Sequence, residues 1–379
     1  MQESIHDVAV IGLGAMGAAT LFQLAERGQR VIGIERFQPG HDRGSSHGES
    51  RAIRLGYSES PQYVPLLRRA YAYWRELEQL TGETLLLTSG ILEMGMPGSR
   101  LVAGTLKASE QYGLDHEVLS PREVQRRYPA IELPQDYSSV WQPDAGILRS
   151  DAINALHIRH AIAQGAQVVT NARVLAIEPR AGVVRLVLDD GRAIEAGSVV
   201  VCAGPWTSDL VPSLKSTLTL TRAVSCWYRP KRPELFKSGA LPVFMIDDGR
   251  DFFYGFPDFG DVGLKCGSHY GTGQIQHADL ARQDASAPDE NHTRDYLERY
   301  MPEGAGPLLG MKTCLYTMTP DTDFIIDTSP EDDRIVVVSP CSGHGFKFAG
   351  VVGEIAADLA ISGDTEQDIS RFRIDRFPA

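Results

Sequence analysis

Cysteine is scarce in these 379 residues: there are five, at positions 202, 226, 266, 314 and 341. The number is odd and no two stand in CxxC spacing, which argues against a disulfide framework or a zinc site. It fits a reducing compartment, with the cytoplasm as the expectation. Long apolar runs are missing as well. Nothing approaches the roughly 18 consecutive apolar residues that would span a bilayer. The N-terminus carries acids and a histidine and then enters a strand, so no signal peptide is expected. Basic charge is in deficit: 37 Lys and Arg against 49 Asp and Glu leave a formal net charge of −12, which disfavours nucleic acid or an anionic membrane as a partner. There is no internal repeat and no low-complexity tract. With 42% hydrophobic and 23% charged residues, the chain has the composition of a soluble globular protein long enough for two domains.

Against those absences stands one dense stretch, residues 6–36. A short apolar run ends at Ile11 and opens onto Gly12, Gly14 and Gly17. A helix-forming segment follows from Ala15 to Arg27, and a second apolar run ends at Ile34, before Glu35. Gly12 suits a tight turn, Gly14 lets backbone N–H groups approach a pyrophosphate, and Gly17 lets the helix pack on the strand. The helix N-terminus favours phosphate charge, and an acid about twenty residues beyond the loop is placed to accept from a ribose. A dinucleotide is expected. An acid rather than a basic cluster after the second strand argues against NADP and leaves FAD and NAD.

The segment PGHDRGSSHGESRAIRLGYSES follows, too long for a tight connection and rich in groups that bind anions or titrate. Pro61 to Leu80 reads as an amphipathic helix whose aromatic residues, Tyr63, Tyr73 and Trp74, belong to the core. The run SVVVCAG, residues 198–204, reads as a buried parallel-type strand ending on small residues. From Leu218 to Tyr270 short alternating strands suggest an antiparallel sheet. Thr293 to Tyr300 reads as a helix with Thr293 as a possible cap, and Phe324–Asp327 and Arg334–Ser339 read as parallel-type strands. The expected fold class is therefore α/β (α+β, two-domain): a Rossmann-like dinucleotide-binding domain from residues 1–85, 145–215 and 320–379, with residues 86–144 and 216–319 forming an inserted antiparallel β-sheet substrate domain.

Four motifs carry a resemblance: GLGAMG at 12–17, GSSHGESRAIRLGYSES at 44–60, KTCLYTMTPDTDFIID at 312–327 and SGHGFKF at 342–348, supported by YGFPDFGDVGLKCGSHYG at 254–271. Together they resemble the monomeric sarcosine oxidase and N-methyltryptophan oxidase family of flavoproteins over nearly the whole chain. The resemblance implies a glutathione-reductase-type FAD fold. It places FAD against Gly12, Gly14, Ala15, Met16, Gly17, Glu35, Arg36, Ser45, His47, Val174, Ala203, Gly204, Trp206, Cys314, Gly343, Gly345, Phe346 and Lys347. It further implies a thioether between Cys314 and the flavin 8α carbon. Such a bond needs a thiolate, so Arg51 and His47 are the expected cations beside that sulfur, and Cys341 is expected to be structural.

For the substrate, the resemblance puts a carboxylate on Arg54 and Lys347, a planar fork plus a point charge. Tyr57, Glu59, Met245 and Tyr254 are implied as further substrate contacts, with the last two favouring a small amine. Lys265, His269, Arg51 and Tyr316 are implied as the catalytic group. His269 either favours the neutral amine or is a passive wall, and Lys265 supplies the positive charge that helps O2 accept electrons. An inward lysine between the apolar or small neighbours of GLKCG would be costly without such a role.

The function these residues imply is FAD-dependent oxidation of a small secondary amino acid of the sarcosine type. The product imine would hydrolyse to an aldehyde and an amino acid while O2 becomes H2O2. Pipecolate or proline-like substrates, iminodiacids, N-methyltryptophan, and a dehydrogenase passing electrons to another acceptor are the alternatives. A non-enzymatic dinucleotide sensor is disfavoured, because the carboxylate-binding and oxygen-activating residue types are present. No metal is expected, and the chain is expected to act as a monomer.

Overall fold

The structure is a computed structural model that describes residues 5–269, 273–280, 284–339 and 342–377; Cys341 lies outside them. Two large sheets and one small one organise the described residues. In the eight-stranded sheet, His6–Ile11 runs parallel between Ala193–Val201 and Val31–Ile34, and Gln167–Val169 follows in parallel beyond. These short strands are apolar on both faces because helices and the hairpin region cover both sides. Helices Ala15–Glu26 and Ala349–Ser362 cover one face and approach closely through small residues. A Cβ on Gly353 would lie 2.7 Å from the Ala19 carbonyl carbon. Val174–Arg180 and Val183–Leu188 extend one edge as an antiparallel hairpin, while Asp332–Ser339 pairs in parallel with the C-terminal end of Ala193–Val201. Ile325–Ser329 corrects the sequence reading. It is antiparallel to Asp332–Ser339, since only two residues separate them and a parallel pair needs a long crossover.

The second sheet has nine strands drawn from residues 91–142 and 219–318, with Val243–Asp247 at its centre. It is antiparallel except at one joint, where Val243–Asp247 runs parallel to Ile91–Gly95. Its alternation decides which side chains reach the site. Leu92, Met94, Val224, Cys226, Phe244, Ile246, Phe253, Leu264 and Cys266 point to one face and form a buried apolar cluster with helix Ala287–Tyr300. Their sequence neighbours must point to the other face. There the register runs Glu93, Met245, Tyr254, Gly267, Ser225 and Lys312 in one row across six strands. Helix Ala287–Tyr300 begins six residues before the expected Thr293. Ser286 donates from N and Oγ to Asp289 at its start, and Thr293 is an interior residue.

A three-stranded sheet, Arg51–Ile53 with Gly146–Leu148 and Leu86–Thr88, anchors the polar loop 44–60 between the two larger sheets. Helix Val64–Thr81 packs behind it with Tyr73 and Trp74 buried, as the apolar stripe requires. The Trp74 indole N–H donates to the Lys347 carbonyl at 3.0 Å, which ties the helix to the last motif.

Candidate functional site

One elongated cavity runs from the Gly12–Gly17 turn to the open face of the second sheet. At its first end the loop geometry is dictated by backbone crowding. Gly12 has φ +85°, and a Cβ there would lie 2.5 Å from the Cys202 carbonyl oxygen. Gly14, Ala15 and Met16 line the cavity. Gly17 does not. It packs inward, where a Cβ would lie 1.7 Å from the Gly12 carbonyl oxygen, so its part is helix-to-strand contact alone. The helix that starts at Ala15 has no capping side chain at Gly14; its first N–H, that of Ala15, donates to Ser46 Oγ at 2.9 Å, and its N-terminus lines the cavity. Glu35 lines the same end and accepts from the backbone N–H groups of Leu13 (2.8 Å) and Phe37 (2.9 Å). Arg36, Val174, Ala203, Gly204 and Trp206 complete the wall, with Arg36 paired to Asp279 at 2.8 Å.

These residues fit a dinucleotide on observations of their own. His47 is 7% exposed and lines the cavity, yet neither ring nitrogen has a partner among the described residues. Asn154 Oδ1 in the same wall is likewise buried without one. Orphaned buried polar atoms, a helix N-terminus and two glycines that leave no room for a Cβ make a cradle for a polar, phosphate-bearing ligand.

At the other end the cavity is floored by the second sheet. Lys265, 3% exposed, donates from Nζ to Gly48 O (2.6 Å), Ser50 O (3.1 Å) and Ser50 Oγ (3.2 Å). The loop presents those carbonyls through two left-handed residues, Gly48 (φ +105°) and Glu49 (φ +68°). Its cross-strand partners Trp227 and Phe256 put their rings 5.3 and 5.1 Å from Nζ. Burial, helped by Arg51, holds the Lys265 pKa well below the usual lysine value. Cys314 shares a strand face with Lys312 and Tyr316, and all three line the cavity. Gly343, φ +79°, allows the Tyr316 ring to close on the loop, since a Cβ there would meet that ring at 2.5 Å.

The electrostatics at Cys314 correct one expectation. Burial pushes the thiol up, and the cations that oppose this are Arg51 and Lys265. His47 cannot help, because burial and Arg51 push its own pKa down to about 4 and leave it neutral. Arg51 is fixed by donating to the carbonyls of Ser50, Ser45 and His47 at 2.7–2.8 Å. Ser45, Gly345 and Phe346 lie in the same wall.

Arg54 and Lys347 are brought together, but not as a fork and a point charge. Arg54 is 2% exposed, and two carboxylates already engage it: Glu93 Oε1 lies 2.8 Å from Nε, and Glu59 accepts from Nη2 at 3.1 and 3.2 Å. Nη1 carries no partner among the described residues, and Nε, though ion-paired with Glu93, makes no hydrogen bond. The planar edge expected for a substrate is therefore in use, and Arg54 offers one nitrogen. Lys347 Nζ donates to His344 O (2.7 Å) and Tyr57 Oη (3.2 Å), which leaves one N–H. Burial and Arg54 push its pKa down to about 7. Burial works to raise Glu59 too, yet Arg54 and Lys347 outweigh it and hold that carboxyl low. Tyr57 corrects another expectation: it is fully buried outside the cavity wall, where its hydroxyl bridges His344 Nδ1 (2.7 Å) and Lys347. Its part is to position Lys347.

Glu59, Met245, Tyr254 and His269 line the cavity beside this cluster. Tyr254 Oη lies 3.0 Å from Ser225 Oγ, crossing over Gly267, where a Cβ would sit 2.9 Å from that hydroxyl. The His269 ring packs edge-on against Phe252 with centroids 5.0 Å apart, and burial holds it neutral with a pKa of about 4. Glu93, Gln142 and Asn154 were not singled out from the sequence. Glu93 could have been: a lone acid at an inward position of the strand ILEMG carries the same signal as the lysine of GLKCG. Among the described residues, no group of three or more His, Cys, Asp or Glu is arranged to hold a metal ion, and no helix is long and apolar enough to cross a membrane.

Comparison with known proteins agrees with this geometry. The family model "FAD dependent oxidoreductase" matches residues 7–359. Monomeric sarcosine oxidase from Bacillus sp. (strain B-0618) is 36% identical over 374 residues, covering 98% of this chain and 96% of its own. N-methyl-L-tryptophan oxidase from Yersinia pestis (strain Pestoides F) is 36% identical over 375 residues, covering 98% and 99%. Among solved structures, NikD, an unusual amino acid oxidase essential for nikkomycin biosynthesis, superposes with a TM-score of 0.88 at 26% identity over 98% of both chains.

Proposed function

The chain belongs to the FAD-dependent oxidoreductases, in the family of monomeric sarcosine oxidase and N-methyl-L-tryptophan oxidase, and on that premise we propose that it oxidises a small secondary amino acid at its C–N bond. The observation that carries this reading is the pairing of the free Arg54 Nη1 with one free Lys347 N–H beside a sheet face that bears Met245, Tyr254, Lys265, Cys314 and Tyr316. When bound, FAD supplies the two-electron acceptor and passes the electrons on to O2.

The chain's own residues orient, neutralise and exclude. Arg54 Nη1 and the free Lys347 N–H take the substrate carboxylate and so set which carbon faces the cofactor. Neutral His269 adds no positive charge near the amine, and the walls of Met245, Phe252, Tyr254 and Phe256 exclude water and disfavour an ammonium ion. Those walls also suit a small methylated or cyclic amine better than an indole. Lys265, gripped by three acceptors, places a positive charge where O2 is reduced, and its depressed pKa makes its proton easier to give up. Cys314 is read as the attachment point of the flavin, supported by its place in the wall and by the two cations facing it. Residues 1–85, 145–215 and 320–379 are read as the cofactor-binding part, and 86–144 and 216–319 as the substrate-binding part. The cytoplasm is read from Cys202, Cys226 and Cys266, none of which is in a disulfide, and a monomer from the likeness to monomeric sarcosine oxidase.

A peroxide-coupled screen over sarcosine, other N-methyl amino acids, proline, pipecolate and iminodiacids tests the proposal. Peroxide is expected from at least one secondary amino acid. Turnover confined to primary amino acids, or reduction by a secondary amine without any peroxide, would refute it and in the second case favour a dehydrogenase.

A further inference from the structure

Glu93 has no part in the reading so far, yet it touches the residue on which that reading turns. It is 0% exposed, in the strand Ile91–Gly95, at the one parallel joint of the second sheet and opposite Met245 of the cavity floor. Its Oε2 accepts from Thr105 Oγ1 at 2.9 Å and from Gln142 Nε2 at 2.7 Å. Gln142 also closes a two-way contact with the backbone of Gly56, its Oε1 accepting from Gly56 N at 2.7 Å and its Nε2 donating to Gly56 O at 3.1 Å. The second oxygen, Oε1, lies 2.8 Å from Arg54 Nε as a buried ion pair, out of line for a hydrogen bond, so charge rather than a shared proton holds the two together. A carboxylate held by two donors on one oxygen can turn in neither direction without orphaning one of them.

We propose that Glu93 is a positioning residue for substrate: it pins Arg54 Nε so that Glu59 engages Nη2 and Nη1 alone is left for the substrate carboxylate. This rests on the carboxylate reading of Arg54 and Lys347 above. Two carboxylates divide the guanidinium between them, one from the helix-backed sheet and one from the loop. Without Glu93, the Nε side of the buried guanidinium loses its ion-pair partner, and Glu59 becomes free to take Arg54 in the two-pronged arrangement that guanidinium and carboxylate prefer. That rotation turns Nη1 away from the cavity. Burial pushes Glu93 up to about 7 against the pull of Arg54, so above that pH it is ionised and the clamp is complete. The other charged groups of the cluster are Arg54, Glu59 and Lys347.

Glu93→Gln keeps the shape and presents a mismatched amide to Arg54. Holoenzyme is titrated at pH 8 with propionate, a carboxylate without an amine, by the change in the visible spectrum, and KM and kcat are measured with the amino acid the screen returns. The expected result is a rise of at least tenfold in the propionate Kd and in KM, with kcat within about threefold of wild type and the cofactor content unchanged. A merely structural role would lower kcat, cofactor content and Tm together. That pattern, or a propionate Kd within twofold of wild type, overturns the proposal. If Glu93→Gln does not fold, Thr105→Val, which removes one of the two donors holding Glu93, is expected to raise the same Kd severalfold, and no change there overturns the proposal equally. Failure of the underlying reading has a different signature: at pH 6, where Lys347 is charged, Lys347→Met would leave propionate binding unaltered in an otherwise wild-type protein.

Discussion

Replacing Lys347 with methionine removes one charge and little else. Nζ lies 5.0 and 5.5 Å from the ring centroids of Tyr57 and Phe348, and a methionine side chain can fill the space beside those rings. Two of the three ammonium protons go to His344 O and Tyr57 Oη, and the Tyr57 hydroxyl keeps its bond to His344 Nδ1 without them. What the substitution takes from a bound carboxylate is one charge-assisted hydrogen bond, worth about 1.5–3 kcal/mol, or roughly 10- to 150-fold in Kd. The pH dependence makes the expectation specific. Lys347 has its pKa pushed down to about 7 by burial and by Arg54, so the free enzyme carries this charge below pH 7 and gives it up above. The Lys347 contribution to carboxylate binding should therefore be fully present near pH 6 and be lost as pH rises through 7, by up to about tenfold per unit. The ratio of variant to wild-type Kd should be widest at pH 6 and narrow by pH 9. Spectral titration of both holoenzymes with propionate at those two pH values measures it. An equal ratio at both, or a variant that loses kcat at unchanged Kd, would refute the reasoning.

Three further outcomes follow from other parts of the site. Cys314→Ala protein should lose its yellow colour from the pellet after acid precipitation while wild type keeps it; release of colour from wild type would exclude the thioether. Lys265→Met should slow the reaction of the reduced enzyme with O2 by orders of magnitude while substrate reduces it at a rate much closer to normal, as stopped-flow absorbance can resolve. It also orphans two carbonyls and a hydroxyl, offset by removing a buried ammonium, so the Tm should move by only a few degrees. Gly12→Ala demands a positive φ of a residue with a Cβ and puts that carbon 2.5 Å from the Cys202 carbonyl oxygen; purified protein should be largely colourless, and a full visible spectrum would contradict the account of the turn.

The dinucleotide end was legible because its constraints are local. Glycines where backbone meets backbone, an apolar strand and an acid after the next strand all lie within thirty residues, and the structure brings them to one end of the cavity. The strand alternation of residues 218–270 was equally readable, since a period of two fixes which side chains share a face. Partnership across the chain was not legible. Nothing in GSSHGESRAIR says that Arg54 will meet Glu93, 39 positions on, or that Tyr57 will turn away from the cavity toward His344. His47 was expected to be a cation, but the surrounding packing that makes it neutral comes from other segments. The helix start at Ser286 was missed for a related reason: a run of Asp, Glu and Asn looks like loop until Asp289 is seen accepting from Ser286.

The central claim, that this chain couples a secondary amino acid to O2, is tested most directly by one experiment in two halves. The yellow holoenzyme is mixed anaerobically with the amino acid the screen returns, and air is then admitted. Bleaching on the first addition, and full return of colour with one equivalent of H2O2 on the second, is the result expected. Bleaching that persists in air, with colour restored only by an artificial electron acceptor, would contradict the claim.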